Sequence, residues 1–402
     1  MPRSVHPVAT LAILTVLNFL NYIDRSILFA VQPLVQREFG RSDAQIGFLT
    51  TAFFICYMIA APVLGYLADR YPRRPIMLAG ALVWSAATLL TAVTWDFRTL
   101  LIRHIIVGIG EASFVATAPG YIADLFPEEK RGRMLSVFFM GIPAGTALGY
   151  LIGGYLGYGF GWRMPFYVVA APGLLAGLAL VLVREPQRGS QDTIRETLER
   201  GTLRGLLRNR AYWTATLGMA FMTFALGGLQ VWMPTFLVRV RGLSLLHANL
   251  FFAAITAVNG VVATLAGGWF SDRLLQRRGD AYYLVSGVAM AVSVPLMCGA
   301  IYVGRPMMFV AIAVAEFFLL FNNGPLNAAV VDSVGAGIRA SAIAVNLMVI
   351  HVLGDSLSPT VIGVISDRTH SLQSGFAAAI GAVVIAAAIL LYGKKYSPQL
   401  RT

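Results

Sequence analysis

The sequence predicts an all-α membrane protein whose twelve transmembrane helices form two pseudo-symmetric six-helix bundles. Composition is the first reason, because 57% of the 402 residues are hydrophobic and only 12% are charged, about half the charged fraction of a soluble protein. The second is a series of apolar runs of roughly 20 residues, the length that spans a bilayer. The third is a repeat that relates the two halves of the chain.

The apolar runs follow one another with short polar connections, except for one long segment in the middle of the chain. The first six predicted spans are 8–33, 45–68, 75–94, 99–124, 132–157 and 162–183. The other six are 211–238, 246–271, 281–303, 306–333, 338–366 and 373–392. We therefore predict an N-terminal bundle at 1–183, a linker at 184–210, a C-terminal bundle at 211–392 and a cytoplasmic tail at 393–402.

The central linker carries apolar residues at near-helical spacing beside many arginines, which predicts an amphipathic helix on the cytoplasmic membrane surface. These residues are Ile194, Leu198, Leu203 and Leu206. A binding site for a regulatory partner is the alternative reading of the same segment.

The net charge of +12 is explained by the membrane, because most Lys and Arg residues fall in loops on one side. Positively charged loops stay in the cytoplasm, so both termini are expected there, in a bacterial-type inner membrane. The basic residues are scattered among short loops, and no nucleic-acid motif is present. We expect a monomer whose partners are the bilayer, a small substrate and protons.

Two segments of the first half return in the second half. "GYLADRYPRR" at 65–74 reappears as "GWFSDRLLQRR" at 268–278. "ADLFPEEKRGRML" at 123–135 aligns with "VDSVGAGIRASAI" at 331–343, with Asp124 matching Asp332 and Arg131 matching Arg339. The chain therefore reads as a duplicated six-helix unit.

The repeated G-x-x-x-D-R pattern with its basic cluster resembles the loop between helices 2 and 3 of the major facilitator superfamily, and its counterpart in the second half. The resemblance implies two bundles that rock about a central cavity. It also implies that Asp69 contacts Arg131 or Arg133 and the start of helix 11. Asp272 and Arg339 are expected to form the corresponding contact in the second half. The resulting candidates for a latch of the outward-open state are Asp69, Arg70, Arg131, Arg133, Asp272, Arg273 and Arg339.

Two further motifs resemble the Spinster-like branch of that superfamily. They are "NYIDR" in the first span and "GIGEASFVATAPGYIADLFP" at 108–127. Related organic-anion symporters also carry N-Y-x-D-R, so the resemblance rests on the Gly110-Glu111-Ala112 element. It implies transport of lysophospholipids or sphingosine phosphates, with Asp24, Arg25, Arg103 and Glu111 as coupling and substrate residues.

The charges inside predicted spans support a functional reading on physical grounds. A charged residue at a helix centre costs about 2.5 to 3.5 kcal/mol on insertion scales, so it usually faces a cavity or a partner. Asn21 and Tyr22 share a helix face with Arg25, and Asp24 and Glu111 lie at similar depths, about 15 and 18 Å from the outer helix ends. We predict proton coupling by Asp24, Glu111 and Arg25; an inert charge network is the alternative.

The predicted substrate site combines an anion-binding arginine with an apolar wall. Its candidate residues are Arg103, Asn21, Tyr22, Phe224, Trp232, Phe321 and Asn322. For the aromatic members, ordinary packing or lipid contact is the alternative. Secondary candidates within the second half are Glu316, His351 and Asp355. Gly141, Gly145, Gly149 and Gly153 recur every four residues, which favours close approach of another helix.

No phosphate-binding loop, metal-ligand cluster or nucleophile motif is present in the sequence, which argues against an enzyme and against a cofactor or metal site. The leading prediction is a proton-coupled secondary transporter of an amphipathic, lysolipid-like anion. The alternatives are a symporter of small organic anions or sugars, and a lipid-sensing receptor without transport.

Overall fold

The structure is a computed structural model that describes residues 6–188, 203–334 and 338–397. Within that part of the chain, twelve helical segments are long and apolar enough to cross a membrane, which confirms the predicted fold class. The first six, α1 to α6, are Pro7–Phe39, Asp43–Arg70, Arg73–Ala92, Phe97–Leu125, Arg133–Phe160 and Met164–Leu182. The other six, α7 to α12, are Arg210–Arg239, Leu245–Leu275, Ala281–Tyr302, Met307–Asp332, Ser341–Thr369 and Leu372–Tyr396.

Helix α1 extends six residues beyond its predicted end at position 33, through Pro33 to Phe39. It ends at Gly40, whose φ of 58° is readily adopted by glycine and whose N–H donates to the Gln36 carbonyl. Glu38, in the added turn, accepts a hydrogen bond of 2.6 Å from the Trp162 indole. This contact with a residue distant in sequence stabilises the last turn of α1. Hydropathy alone does not predict that turn.

Several spans contain interruptions that the sequence does not predict, among them those of α4, α10 and α11. In α4 the helix breaks at 116–117, and α10 breaks at the corresponding place, 321–322. In α11 the hydrogen bonding changes to π-type over His351–Asp355, with non-helical torsion angles at Gly354. A Cβ atom added at Gly354 would lie 3.0 Å from the Ala220 carbonyl oxygen, so contact with α7 requires glycine there.

The chain forms two compact units. The first comprises residues 1–41, 52–196 and 237–254, and the second comprises 42–51, 197–236 and 255–402. The start of α2 thus belongs to the second unit, and the end of α7 with the start of α8 belongs to the first. The domain boundaries predicted from the sequence halves remain a prediction.

Inside the first unit, the glycine stripe of α5 packs directly on the backbone of α1, as the four-residue spacing predicts. A Cβ atom at Gly145 would lie 2.4 Å from the Phe19 carbonyl oxygen, and one at Gly149 would lie 2.7 Å from the Ile23 carbonyl oxygen. Any side chain at these positions would push the two helices apart. Glycine therefore fixes the position of the α1 segment that carries Asp24 and Arg25.

A charged network joins the ends of α3, α4 and α6 in the first unit. The Arg73 guanidinium pairs with the Asp124 carboxylate. Glu185, just after α6, accepts hydrogen bonds from the backbone N–H groups of Arg73 and Arg74 at 3.0 and 2.8 Å. A carboxylate at a helix N-terminus is favoured by the helix dipole, so this network anchors the start of α3.

Several predictions concern residues outside the described part of the chain. The linker positions Ile194 and Leu198, the tail beyond 397 and the side chain of Arg339 all lie there. The described end of the linker forms a short helix, Leu203–Arg208, in which Leu206 is buried.

Candidate functional site

The central feature of the first unit is a buried ion pair between α1 and α4. Arg25 Nε donates to Glu111 Oε2 at 2.6 Å. Arg25 is 9% exposed and Glu111 is fully buried. Both residues are candidates from the sequence, and the structure brings them together.

Aromatic rings from α1 and α2 surround the Arg25 guanidinium. Its Cζ atom lies 4.8 Å from the ring centroid of Tyr22, 5.0 Å from those of Phe53 and Tyr57, and 5.8 Å from that of Phe54. Arginine is attracted to aromatic faces within about 6 Å. The rings therefore stabilise the cation while excluding much of the water around it.

Asp24 points away from this pair, toward α3. Its Oδ2 atom accepts a hydrogen bond of 3.1 Å from the Thr88 hydroxyl, and it is 8% exposed. In this conformation Arg25 therefore pairs with Glu111 and not with Asp24. Adjacent residues of a helix project about 100° apart, so one side chain faces α4 and the other faces α3.

The ion pair is incompletely satisfied. Glu111 Oε1 and Arg25 Nη2 are buried and have no hydrogen-bond partner within the described residues, and the same holds for both amide atoms of Asn21. Each buried polar atom without a partner costs about 1 to 3 kcal/mol. Asn21, Arg25 and Glu111 thus place buried polar atoms without a hydrogen-bond partner on facing sides of α1 and α4.

Asp24 and Glu111 lie at similar depths, as the sequence predicts, but farther from the helix ends than expected because both helices extend beyond their predicted spans. Asp24 is 15 residues before the end of α1, and Glu111 is 14 residues after the start of α4. A rise of 1.5 Å per residue places them about 22 and 21 Å from the helix ends on the same side. Both therefore lie near mid-span.

Among the residues beside the ion pair that were not candidates from the sequence are Phe53 and Tyr57 of α2 and His104 of α4. Phe53 and Tyr57 of α2 are four residues apart and so share a helix face. His104 of α4 is buried, with its ring centroid 5.0 Å from that of Phe53. Its spacing of seven residues from Glu111 is two helical turns. That spacing was available in the sequence, whereas the rotation of α2 toward Arg25 was not.

Arg103 lies near the start of α4 and binds the end of α3. Its Nη1 atom donates to the Leu90 carbonyl and, at 2.6 Å, to the Thr94 hydroxyl. Within the described part of the chain, no hydrogen bond is found for Nε or Nη2. A guanidinium has five N–H donors, so Arg103 keeps donors for an anion, and its role in substrate binding remains a prediction.

We expect Arg103→Ala to weaken binding of an anionic lysolipid by roughly tenfold, the scale of one lost hydrogen bond to a charged group, while a neutral analogue is affected less. Equilibrium binding of both compounds to purified protein measures this. Thr94→Val is the matched control, because it removes the hydroxyl partner of Arg103 just after α3 and keeps the arginine. Equal losses for the anionic and the neutral compound would show that Arg103 acts only by holding α3.

The four candidates of the second unit differ in accessibility. Trp232 is fully buried, and its indole donates to the Pro359 carbonyl at 2.9 Å, so in this conformation it packs α7 against α11. Asn322 is also fully buried, at the break in α10. Phe224 and Phe321 are half-buried. These two phenylalanines are the better placed to contact a ligand.

The secondary candidates form two separate groups within the second unit. Glu316 is buried and accepts hydrogen bonds from the Thr256 hydroxyl at 2.8 Å and the Asn259 amide at 3.3 Å. The His351 imidazole lies 3.0 Å from the Asp355 carboxylate, in the π-type segment of α11. These residues thus bind interhelical or local partners, and a functional role stays a prediction.

The latch candidates at the ends of α2 and α8, which are Asp69, Arg70, Asp272 and Arg273, are exposed. Asp69 is exposed, and among the described residues its carboxylate has no ion pair with Arg131 or Arg133. Its backbone carbonyl accepts a hydrogen bond from Arg188. Asp272 accepts one of 2.9 Å from the Tyr282 hydroxyl. The expected ion pair of Asp69 with Arg131 or Arg133 is therefore not present among the described residues, and the latch remains a prediction.

Two arginines of the repeated loops stack on aromatic rings of their own helices. The Cζ atom of Arg70 lies 3.5 Å from the ring centroid of Tyr66, and that of Arg273 lies 5.7 Å from that of Trp269. Farther along the second loop, Asp280 accepts a hydrogen bond of 2.9 Å from Arg278, which holds the pKa of this carboxyl group below its usual range.

Among the described residues, no group of three or more His, Cys, Asp or Glu side chains is arranged to hold a metal ion. The two free cysteines, Cys56 and Cys298, lie on different helices, α2 and α9.

Residues 14–359 match the family model described as Major Facilitator Superfamily. The chain is 37% identical over 378 residues to protein spinster homolog 3 of Danio rerio, covering 89% of this chain and 76% of the relative. It is 35% identical over 395 residues to the sphingosine-1-phosphate transporter of the same organism, covering 92% and 78%.

Solved structures of membrane transporters also align with this chain over nearly its whole length. A bacterial homolog of the human lysosomal transporter Spinster, in an inward-facing and unoccupied conformation, aligns with a TM-score of 0.89 and 25% identity. The alignment covers 97% of each chain. The D-xylose–proton symporter aligns with a TM-score of 0.75 and 18% identity over 98% of each chain, which shows a likeness of fold alone.

Proposed function

This chain belongs to the major facilitator superfamily and, within it, to the Spinster-like transporters; from that premise we propose that it is a proton-coupled transporter of an amphipathic, lysolipid-like anion. It is a multi-pass integral membrane protein and not an enzyme. The coupling to protons, the class of lipid that is transported and the orientation of the chain in the membrane are proposals.

The observation that carries the proposal is the incompletely satisfied pair of Arg25 and Glu111. One hydrogen bond joins the two groups, and one polar atom on each side is left without a partner. A phosphate or carboxylate of a substrate can accept from the free Arg25 Nη2. The pair is therefore suited to exchange one anionic partner of the arginine for another.

Proton coupling follows from what such an exchange does to Glu111. A substrate anion that takes Arg25 leaves the glutamate in a dry site without its cation. An unpaired buried charge is strongly unfavourable, so the carboxylate is neutralised by binding a proton. Asp24, bonded to Thr88 on the neighbouring helix, is the second acid through which a proton can pass.

The surroundings of Arg25 favour an amphipathic substrate over a fully polar one. Four aromatic rings lie within 6 Å of the guanidinium, so a polar headgroup would be bound beside apolar surface. One of the relatives is a sphingosine-1-phosphate transporter. The compound in that name has both a charged headgroup and an apolar chain. Phe224 and Phe321 remain candidates for contact with the apolar chain.

The excess of Lys and Arg in the loops on one side supports both termini in the cytoplasm. With an even number of spans, both termini lie on the same side of the membrane. We propose a bacterial-type inner membrane as the location.

The test is substrate flux into proteoliposomes of the purified protein. The substrates are a lysophosphatidate, a sphingoid phosphate, an uncharged monoacylglycerol and a hexuronate, each with and without a pH gradient. We expect flux of the two phosphates, driven by the gradient and abolished by a protonophore. Hexuronate flux alone would favour the small-anion symporter, binding without flux would favour the sensor, and phosphate flux indifferent to pH would refute proton coupling.

A further inference from the structure

The start of α2 is held by a carboxylate from a distant part of the chain, within the second compact unit. Asp367, near the end of α11, accepts hydrogen bonds from the backbone N–H groups of Asp43 and Ala44, both at 2.9 Å. In return, the Asp43 carboxylate accepts a hydrogen bond of 2.5 Å from the Ser366 hydroxyl. Each helix end therefore presents an acid to the other.

The Asp367 carboxylate completes the capping of α2. Ser42 and Gln45 form a capping box, because the Ser42 hydroxyl accepts from the Gln45 N–H and the Gln45 side chain accepts from the Ser42 N–H. A capping box leaves the first two helical N–H groups, here those of Asp43 and Ala44, without an acceptor. Those are the two donors that Asp367 binds. The negative charge is also favoured at a helix N-terminus.

The two backbones remain in contact beyond the cap, along the first turns of α2. A Cβ atom at Gly363 would lie 2.4 Å from the Asp43 carbonyl oxygen, and one at Gly47 would lie 2.3 Å from the Pro359 carbonyl oxygen. One turn further, the hydroxyl of Thr51 lies 2.7 Å from that of Thr360. The helices thus meet as a continuous seam with Asp367 at its end.

Topology assigns this seam to one face of the membrane. With both termini on one side, even-numbered helices begin and odd-numbered helices end on the opposite side, so the start of α2 and the end of α11 lie there. In sequence, α2 belongs to the first six-helix repeat and α11 to the second. Transport in this superfamily requires the repeats to move against each other, so the seam must part when that face opens.

We propose that Asp367 is a positioning residue of the transport cycle: by capping α2 it stabilises the state in which the face opposite the termini is closed. When the seam parts, the two N–H groups and the carboxylate are exposed to water, which replaces their hydrogen bonds. The difference between the two states is then modest, as a reversible step requires. Removing the carboxylate shifts the equilibrium toward opening of that face.

The test compares Asp367→Asn, Asp367→Ala and Asp367→Glu in the full-length protein in nanodiscs. Distances between spin labels on the loops of that face report the two states. We expect the ratio of open to closed molecules to rise roughly tenfold for the alanine variant, about the effect of one strong hydrogen-bonded cap. The asparagine variant, which keeps one acceptor oxygen, should shift less, and the glutamate variant should restore part of the closed population.

Asp96→Ala is the matched control, because Asp96 caps α4 from its own preceding loop through a 2.9 Å bond to the Thr99 N–H. It removes an acid at a helix start on the same face without touching the seam, and it should leave the distance distribution unchanged. An unchanged distribution in both Asp367→Ala and Asp367→Asn, or an equal shift in Asp96→Ala, would overturn the proposal. If the alanine variant does not fold, the proposal is tested by the distance distribution of the near-isosteric asparagine variant alone. Failure of the lysolipid proposal does not affect this readout, which uses no substrate.

Discussion

Arg25→Lys is expected to lose most coupled flux, by roughly tenfold to a hundredfold, at unchanged expression. Lysine keeps the positive charge but loses the planar fork with which arginine binds a carboxylate and stacks on aromatic rings. A lost hydrogen bond between charged groups is worth about 1.5 to 3 kcal/mol. The initial rate of substrate uptake into proteoliposomes under a pH gradient measures the effect.

The control for this prediction is Arg73→Lys. Arg73 is also a buried arginine of the first unit that pairs with a carboxylate, that of Asp124, at the far end of α4 from Arg103. If Arg73→Lys lowers flux as much as Arg25→Lys does, the effect reflects loss of a structural ion pair and the proposed site is wrong.

Variants of Asp24 and Glu111 should distinguish a loss of proton coupling from a loss of folding. Asp24→Glu keeps a titratable group on a longer side chain, so we expect it to retain some coupled flux. Asp24→Asn and Glu111→Gln should each abolish the dependence of flux on the pH gradient while the protein remains folded. Wild-type pH dependence in both neutral variants would contradict proton coupling at this site.

Gly149→Leu is expected to destabilise the protein by about 2 to 3 kcal/mol, the upper range for overpacking a tight interface. A Cβ atom there would lie 2.7 Å from both the Ile23 carbonyl oxygen and Ser26 Cβ. The backbone of α1 would have to move beside Asp24, so flux should fall as well. Thermal unfolding in detergent and uptake by proteoliposomes measure the two effects.

Gly159→Leu, on the same helix, controls for the loss of a glycine and the addition of a large side chain. Gly159 is exposed, and a Cβ atom there would meet nothing within 4 Å. Its variant should unfold at the wild-type temperature. A similar loss of stability in both variants would show that the α1–α5 contact is not the cause.

The sequence predicted the twelve spans closely because bilayer thickness imposes the length of each apolar run. It predicted Arg25 and Glu111 as site residues because charges are costly at the middle of a span. It did not predict the α11 interruption, because the close approach of Gly354 to α7 depends on how two distant segments pack. For the same reason, hydropathy could not show that Asp24 faces Thr88 and Arg103 faces the end of α3.

The π-type segment of α11 gives that helix two differently oriented parts. The Ser356 N–H bonds to the His351 carbonyl at 3.2 Å, five residues back, where a regular α-helix reaches back four. One extra residue in a turn rotates everything after it by about 100°. The π-type segment therefore sets the direction in which the part of α11 that carries Asp367 faces, although it lies twelve residues before that capping carboxylate.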